Sequence, residues 1–94
     1  MSKSESSHWY IYIVHCADQT YYTGLCRDVQ RRVDEHNMDD KKGARYTRAR
    51  RPVKLVYMEK HSTRSAAAKR EAEIKKLSHL QKRRLCTETN QCDA

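Results

Sequence analysis

Trp9-Tyr10-Ile11-Tyr12-Ile13-Val14-His15-Cys16 and, after Ala17-Asp18-Gln19, the run Thr20-Tyr21-Tyr22-Thr23-Gly24-Leu25 decide the fold. Both runs are rich in β-branched and aromatic residues, which pack well on a pleated surface, so both are predicted strands. Ala17, Asp18 and Gln19 between them suit a tight hairpin loop. With a loop of about three residues, Cys16 faces Thr20, Val14 faces Tyr22 and Tyr12 faces Gly24. Side chains alternate along a strand, so Tyr12 and Tyr22 then share one face of the sheet. A two-residue loop would break that pairing.

Working outward, Asp28 can cap a helix that runs to about Asn37. Val29, Arg32, Val33 and His36 recur at helical spacing and form one stripe, while Arg31 and Glu35 point elsewhere. An arginine and a histidine on a stripe that faces a sheet are costly unless they find partners. That is the first sign of a site. From Asp39 to Arg51 no period is evident, and the stretch carries Lys41, Lys42, Arg45, Arg48, Arg50 and Arg51 before Pro52 ends it. Val53-Lys-Leu-Val-Tyr-Met58 reads as a third strand.

Ser62 and Thr63 are cap candidates for a helix from about Arg64 to Leu77. Within it Glu71 stands four after Ala67 and three before Ile74, embedded in the small, apolar stripe. Glu73 instead neighbours Lys69, Arg70 and Lys76, as a solvated acid would. The spacing nominates Glu71 as the inward-facing carboxylate. Ser78-His-Leu-Gln81 has the form of a capping box and opens a short helix to about Cys86. The resulting order is β-β-α-β-α-α, an α+β fold in which a three-stranded antiparallel sheet is flanked by helices. Residues 1–8 read as a disordered lead-in, 9–86 as the domain and 87–94 as a disordered tail.

The chain has 94 residues, with 20 Lys and Arg against 12 acidic residues and a formal charge of +8. One domain fits that length. The charge favours a polyanionic partner, either nucleic acid or an anionic membrane. No apolar run approaches the ~20 residues of a spanning helix, and the start lacks the apolar stretch of a signal peptide, so an intracellular, cytoplasmic protein is expected. The four cysteines lack zinc-site spacing and are expected as reduced thiols.

Tyr10-Ile11-Tyr12 and Tyr22-Thr23-Gly24, ten residues apart at their tyrosines, resemble the paired segments of the GIY-YIG nucleases. Arg27-Asp-Val-Gln-Arg-Arg32-Val-Asp-Glu-His36 is similar to that family's first helix. Gly43-Ala-Arg-Tyr-Thr-Arg48 and Lys69-Arg-Glu71-Ala-Glu-Ile-Lys-Lys-Leu-Ser78 resemble its small, single-domain bacterial (YhbQ-like) branch. The resemblance spans residues 9 to about 85. It implies hydrolysis of DNA phosphodiester bonds with one divalent metal, Mg²⁺ or Mn²⁺, in DNA repair, recombination or processing.

By this resemblance Tyr12 and Tyr22 shape the site around the attacking water, one of them a candidate general base. Arg32 holds the scissile phosphate, His36 assists proton transfer or positions Tyr12, and Glu71 is the metal ligand. An arginine's planar fork meets two phosphate oxygens at once, and Mg²⁺ needs only one or two carboxylates. Arg27, Arg45, Tyr46, Arg48, Arg50, Arg51 and Lys69 are expected to contact nucleic acid. Gly24 serves the backbone, either by leaving room for a phosphate or by allowing a bulge.

Plainer readings stand beside these. The tyrosines can be sheet-packing aromatics, Arg32 can pair with Glu71 itself, His36 can favour a helix dipole, and Trp9 reads as core. The sequence also departs from the family pattern. Tyr10 stands where GIY has glycine, Thr23 where YIG has isoleucine, and no Asn follows Glu71 before Asn90. The last departure keeps open a nucleic-acid-binding module without turnover. An RNA-directed enzyme or a partner-dependent nuclease subunit is also compatible, and a monomer is the default expectation.

Overall fold

The computed structural model describes residues 8–93, with side chains as far as residue 87. The expected lead-in therefore lies, but for His8, outside the described residues. The elements are β1 (Trp9–His15), β2 (Tyr21–Cys26), α1 (Val29–Met38), α2 (Arg45–Arg48), β3 (Lys54–His61), α3 (Arg64–Lys75) and α4 (His79–Asp93). The predicted order holds, with α2 added inside the stretch that shows no period.

The sheet is antiparallel with strand order β2-β1-β3. Its middle strand explains the unbroken apolar run of the sequence. Ile11, Tyr12, Ile13 and Val14 are each 1% exposed or less because helices cover both faces. Tyr12 and Val14 pack with Cys16, Val29, Val33 and Val53 on the α1 side. Ile11 and Ile13 pack with Ala67, Ile74 and Cys86 on the α3 and α4 side.

The hairpin register is the one the sequence predicts, with Tyr12 opposite Gly24 and Val14 opposite Tyr22. Cys16 N–H donates to Thr20 O at 2.8 Å, and Gln19 takes the left-handed conformation (φ 73°) common in three-residue hairpin loops. Asp18 closes the turn by accepting from the Thr20 hydroxyl at 2.6 Å.

Asp28 caps α1, Thr63 caps α3, and Ser78 and Gln81 bond one another reciprocally at the start of α4. α4 continues to Asp93, past the expected end near Cys86, since no Gly or Pro follows to stop it. β3 also runs past its apolar part, to His61. At its end Glu59 accepts from Tyr57, from His61 (2.7 Å) and from Arg70 of α3 (3.0 Å), so polar residues complete an edge strand.

The segment between α1 and β3 is pinned by side chains rather than by a core. Arg51 Nε donates to His36 O at 2.6 Å, its Nη2 to Asp39 O at 3.1 Å, and its Nη1 pairs with Asp40 at 2.8 Å. Asn37 bonds both N–H and C=O of Val53 at 2.7 and 3.0 Å. These contacts fold the segment back over the end of α1 and carry α2 up to His36. Cys16, Cys26 and Cys86 are free thiols, and no helix among the described residues is long and apolar enough to cross a membrane.

Candidate functional site

Tyr12 and His36 meet because the central strand and the buried stripe of α1 face each other. The Tyr12 hydroxyl lies 2.7 Å from His36 Nε2. On the other side of the ring, Nδ1 lies 2.8 Å from Thr47 Oγ1 on α2. Tyr12, His36 and Thr47 are each 1% exposed or less, so every one of these groups needs its partner. Thr47 gives its own proton to Ala44 O at 3.0 Å and therefore accepts from Nδ1–H. This assigns the tautomer: Nε2 is the acceptor and the Tyr12 hydroxyl donates to it. The 3.4 Å approach of Ala44 N–H to Nδ1 is the weaker alternative.

Burial dominates the titration of both groups. It pushes the Tyr12 phenol well above its usual range, although the adjacent Arg32 opposes the shift. It lowers His36 to about 4, with the positive charges of Arg32 and Arg51 assisting. At neutral pH the pair is a protonated phenol bonded to a neutral imidazole. His36 is thus a buried, neutral ring bonded on both nitrogens and not a cation favouring a helix dipole.

Arg32 lies on the same stripe. Its Nη1 pairs with Glu35 at 2.9 Å and donates to Lys42 O at 2.6 Å, and Glu35 also meets Arg31 at 3.3 Å. Arg32 is the partly exposed guanidinium beside Tyr12, oriented from behind by a carboxylate. Its partner is Glu35 and not Glu71. Glu35 lies off the buried stripe of Val29, Val33 and His36, yet reaches Arg32, three residues before it, as an ion-pair partner.

A second line of contacts leads outward. The Tyr22 ring packs edge-on to His36 at 5.3 Å and stacks on Tyr46 at 5.7 Å. The Arg50 guanidinium covers Tyr46 at 3.9 Å and is held by Asp18 at 2.9 Å. Arg45, Tyr46, Arg48, Ala49 and Arg50 line an open depression of about 670 Å³. Arg45 projects there without an ion pair among the described residues, while Arg48 donates to Asp40 O at 2.5 Å. Arg51 is instead committed to the α1 clamp. Arg27 lies over Trp9 at 5.3 Å, and Lys69 is exposed on α3.

Gly24 has a specific reason. A Cβ there would overlap the Cζ and hydroxyl of Tyr12, so the glycine makes room for the tyrosine ring itself. There is no bulge at this position. The one register irregularity lies between β1 and β3, at Ile13 and Val14.

The structure gathers Tyr12, Tyr22, Arg32 and His36 into one cluster, and Glu71 has no hydrogen bond or ion pair to any of them. Helix α3 packs on the opposite face of the sheet, against β2 and β1, and the edge strand β2 borders both regions. Glu71 has 21% side-chain exposure and a single, long ion pair, to Lys75 at 3.5 Å. No group of three or more His, Cys, Asp or Glu side chains is placed to hold a metal among the described residues. That donor chemistry fits a largely hydrated Mg²⁺ or Mn²⁺ on one carboxylate and does not fit a closed zinc or calcium site.

Sequence reading missed Thr47, Glu35 and Asp18, each of which partners a residue it did find. The buried Thr47 carried one usable signal: it lies eleven residues from a histidine that needed a partner.

A family model described as the GIY-YIG catalytic domain matches residues 8–84. A UPF0213 protein of Desulfotalea psychrophila is 57% identical over 77 residues, covering 82% of this chain and 69% of that protein. One of Haloquadratum walsbyi is 49% identical over 83 residues, covering 88% and 91%. The solution structure of an E. faecalis protein superposes with a TM-score of 0.60 at 40% identity, covering 89% of this chain and 88% of the other. A UPF0213 protein of Bacillus halodurans gives 0.54 at 39%, covering 85% and 83%.

Proposed function

The chain belongs to the GIY-YIG catalytic-domain family, and from that premise we propose that it is a metal-dependent endonuclease. Its substrate is the phosphodiester bond of DNA, chosen by DNA structure or by weak sequence preference. DNA repair, recombination or processing is the setting this activity fits. The observation that carries the reading is the buried line Tyr12–His36–Thr47, which keeps a neutral, proton-accepting imidazole against a phenol beside Arg32.

In hydrolysis a water oxygen bonds to phosphorus and the bond from phosphorus to the leaving sugar oxygen breaks. Arg32 grips the phosphate through two guanidinium nitrogens and stabilises the charge gathering on its oxygens. Glu35 holds that guanidinium in place. The Tyr12 oxygen takes the proton leaving the water while its own proton passes to His36 Nε2. The tyrosine therefore never stands as a phenolate, which burial disfavours. The imidazolium that forms is opposed by burial and by the charges of Arg32 and Arg51, so it lasts only while the phosphate carries its extra negative charge, and the leaving oxygen takes a proton from solvent. Thr47 fixes the tautomer that makes the relay possible. Glu71 would hold the Mg²⁺ or Mn²⁺ ion, which when bound neutralises phosphoryl charge.

Tyr22, Tyr46 and Arg50 line the approach, where a base can stack and Arg45 and Arg48 can follow the backbone. A lone module of this size makes few base contacts, which supports weak sequence specificity. Cleavage of labelled DNA in Mg²⁺ tests the reading, with folding checked by circular dichroism. His36→Ala and Tyr12→Phe should each lose about 100-fold or more in rate, the usual size of a proton-transfer contribution. Wild-type rates in both variants would refute the relay.

One observation favours a second reading, a nucleic-acid-binding module without turnover: no Asn lies between Glu71 and Asn90. It predicts salt-sensitive DNA binding with no cleavage in any divalent metal.

A further inference from the structure

Resting on the nuclease reading above, we propose that Arg50, laid over Tyr46, is the platform on which one unpaired base of the substrate stacks. The substrate class that follows is DNA with an unpaired nucleotide beside the scissile phosphate, as at a bulge, a flap or a branch point.

The chain itself supplies three layers of the stack. The Tyr22 ring packs on His36 at 5.3 Å and lies nearly parallel to Tyr46, at 5.7 Å and 26°. The Arg50 guanidinium lies over the Tyr46 ring at 3.9 Å. Two hydrogen bonds fix its plane, from Nε to Asp18 and from Nη1 to Tyr46 O, both at 2.9 Å. The hairpin also holds its backbone, where Ala17 N–H donates to Arg50 O at 3.0 Å. A guanidinium held in this way loses little freedom when a ligand settles on it. The pairing with Asp18 uses an edge of the guanidinium and stacking uses a face, so the two do not compete. The side chain keeps 34% of its surface exposed. With Arg45, Tyr46, Arg48 and Ala49 it lines the open depression of about 670 Å³, a volume in the range that holds a small ligand.

Nucleobases stack on guanidinium planes as they do on aromatic rings. Inside a duplex each base already has a neighbour on both faces, so only a base turned out of the helix has a face to offer. Turning it out costs least where the base is already unpaired. Arg45 lines the same depression and meets no carboxylate among the described residues, so it can take the phosphate of the stacked nucleotide. Tyr22 touches both His36 and Tyr46, which places the stack beside the reacting cluster rather than on a remote surface. Every base has a π-face, so the platform reads whether a base is unpaired and not which base it is. Asp18 is the positioning residue of this subsite.

The test uses the full chain, kept in chelator to prevent cleavage, and three fluorescein-labelled DNA duplexes followed by anisotropy. One duplex is fully paired, one carries a single extrahelical adenine, and one has an abasic nucleotide in place of that adenine. The last two have the same phosphates and differ only in the base. We expect wild type to bind the adenine duplex about tenfold more tightly than the abasic one, the size of one base stack. The fully paired duplex should bind no better than the abasic one. Arg50→Lys keeps the charge and removes the plane. The adenine-to-abasic ratio should therefore fall to within about twofold, while the slope of log affinity against log salt stays as in wild type. Equal binding of the adenine and abasic duplexes by wild type, or an undiminished ratio in Arg50→Lys, would overturn the platform. The wild-type comparison decides the matter even if the variant fails to fold. Cleavage in Mg²⁺ by the same wild-type sample tests the nuclease reading separately: cutting without the ratio sinks the platform alone, and the ratio without cutting sinks the nuclease reading alone. Absence of any DNA binding would overturn both.

Discussion

Gly24→Ala adds one methyl group where there is no space for it. The new Cβ would overlap the Cζ, hydroxyl and Cε2 atoms of Tyr12, which is 1% exposed and hemmed in by His36 and by the α1 helix. Overpacking of this kind costs about 1–3 kcal/mol. Moving the phenol off Nε2 leaves two buried polar groups short of a partner, for roughly another 1–3 kcal/mol. The sum, about 2–6 kcal/mol, is a large part of the total stability of a small domain. At ~4–8 °C per kcal/mol, Tm should fall by at least about 8 °C. Urea denaturation followed by circular dichroism measures the loss. The control is the same substitution with Tyr12→Leu. Leucine lacks every tyrosine atom that the methyl would meet, so Gly24→Ala should then become neutral, or stabilising by up to about 1 kcal/mol through lost unfolded-state freedom. An equal cost in both backgrounds would show that the glycine answers to the backbone and not to the ring, and would refute the reasoning.

Four further outcomes follow from this cluster and the segment beside it. His36 is buried and its folded value, about 4, lies below the 6.5 of an unfolded histidine. The folded state thus prefers the neutral ring, so this residue's stability is complete above pH 6.5 and is lost as pH falls toward 4. The loss should be on the order of 3 kcal/mol, and the His36 ring resonances should show no titration between pH 8 and 5.5. A midpoint near 6.5 in the folded protein would contradict the buried relay. Thr47→Val removes the acceptor for Nδ1–H and should cost about 1–3 kcal/mol in urea denaturation, as a buried donor left unmet does; a cost near zero would mean that the tautomer is assigned wrongly. Arg51→Ala should cost about 2–3 kcal/mol because three contacts at the end of α1 depend on it. Arg45→Ala should leave stability within about 0.5 kcal/mol and weaken DNA binding. The reverse ranking would place Arg51, and not Arg45, on the DNA surface.

What could be read in advance follows from how local each signal is. The hairpin register followed once the loop was taken as about three residues long, and the Arg32–His36 stripe from helical spacing, so both faces of the Tyr12 cluster were legible. Glu71 could be ranked above Glu73 by its neighbours on one helix, but the packing of α3 on the far face of the sheet could not. That depends on Ala67 and Ile74 meeting Ile11 and Ile13, residues more than fifty positions apart. Helix α2 escaped because four residues carry no period, and Thr47 with it. The pairing of Glu35 with Arg32 was missed because angular position on a helix ignores the length of an arginine side chain, which can reach an acid one turn away. Gly24 needed the atoms: from sequence, room for a phosphate and a bulge are equal accounts, and the tyrosine ring is neither.

The central claim is that Arg32 and Glu71 serve one metal-dependent cleavage. Its most direct test is cutting of plasmid and branched DNA in Mg²⁺, in Mn²⁺ and in chelator by wild type, Arg32→Ala and Glu71→Gln, each shown to be folded. The account predicts cutting by wild type in either metal, none in chelator, and loss in both variants with salt-sensitive DNA binding retained. No cutting by wild type in any metal, or full cutting by Glu71→Gln, would contradict it.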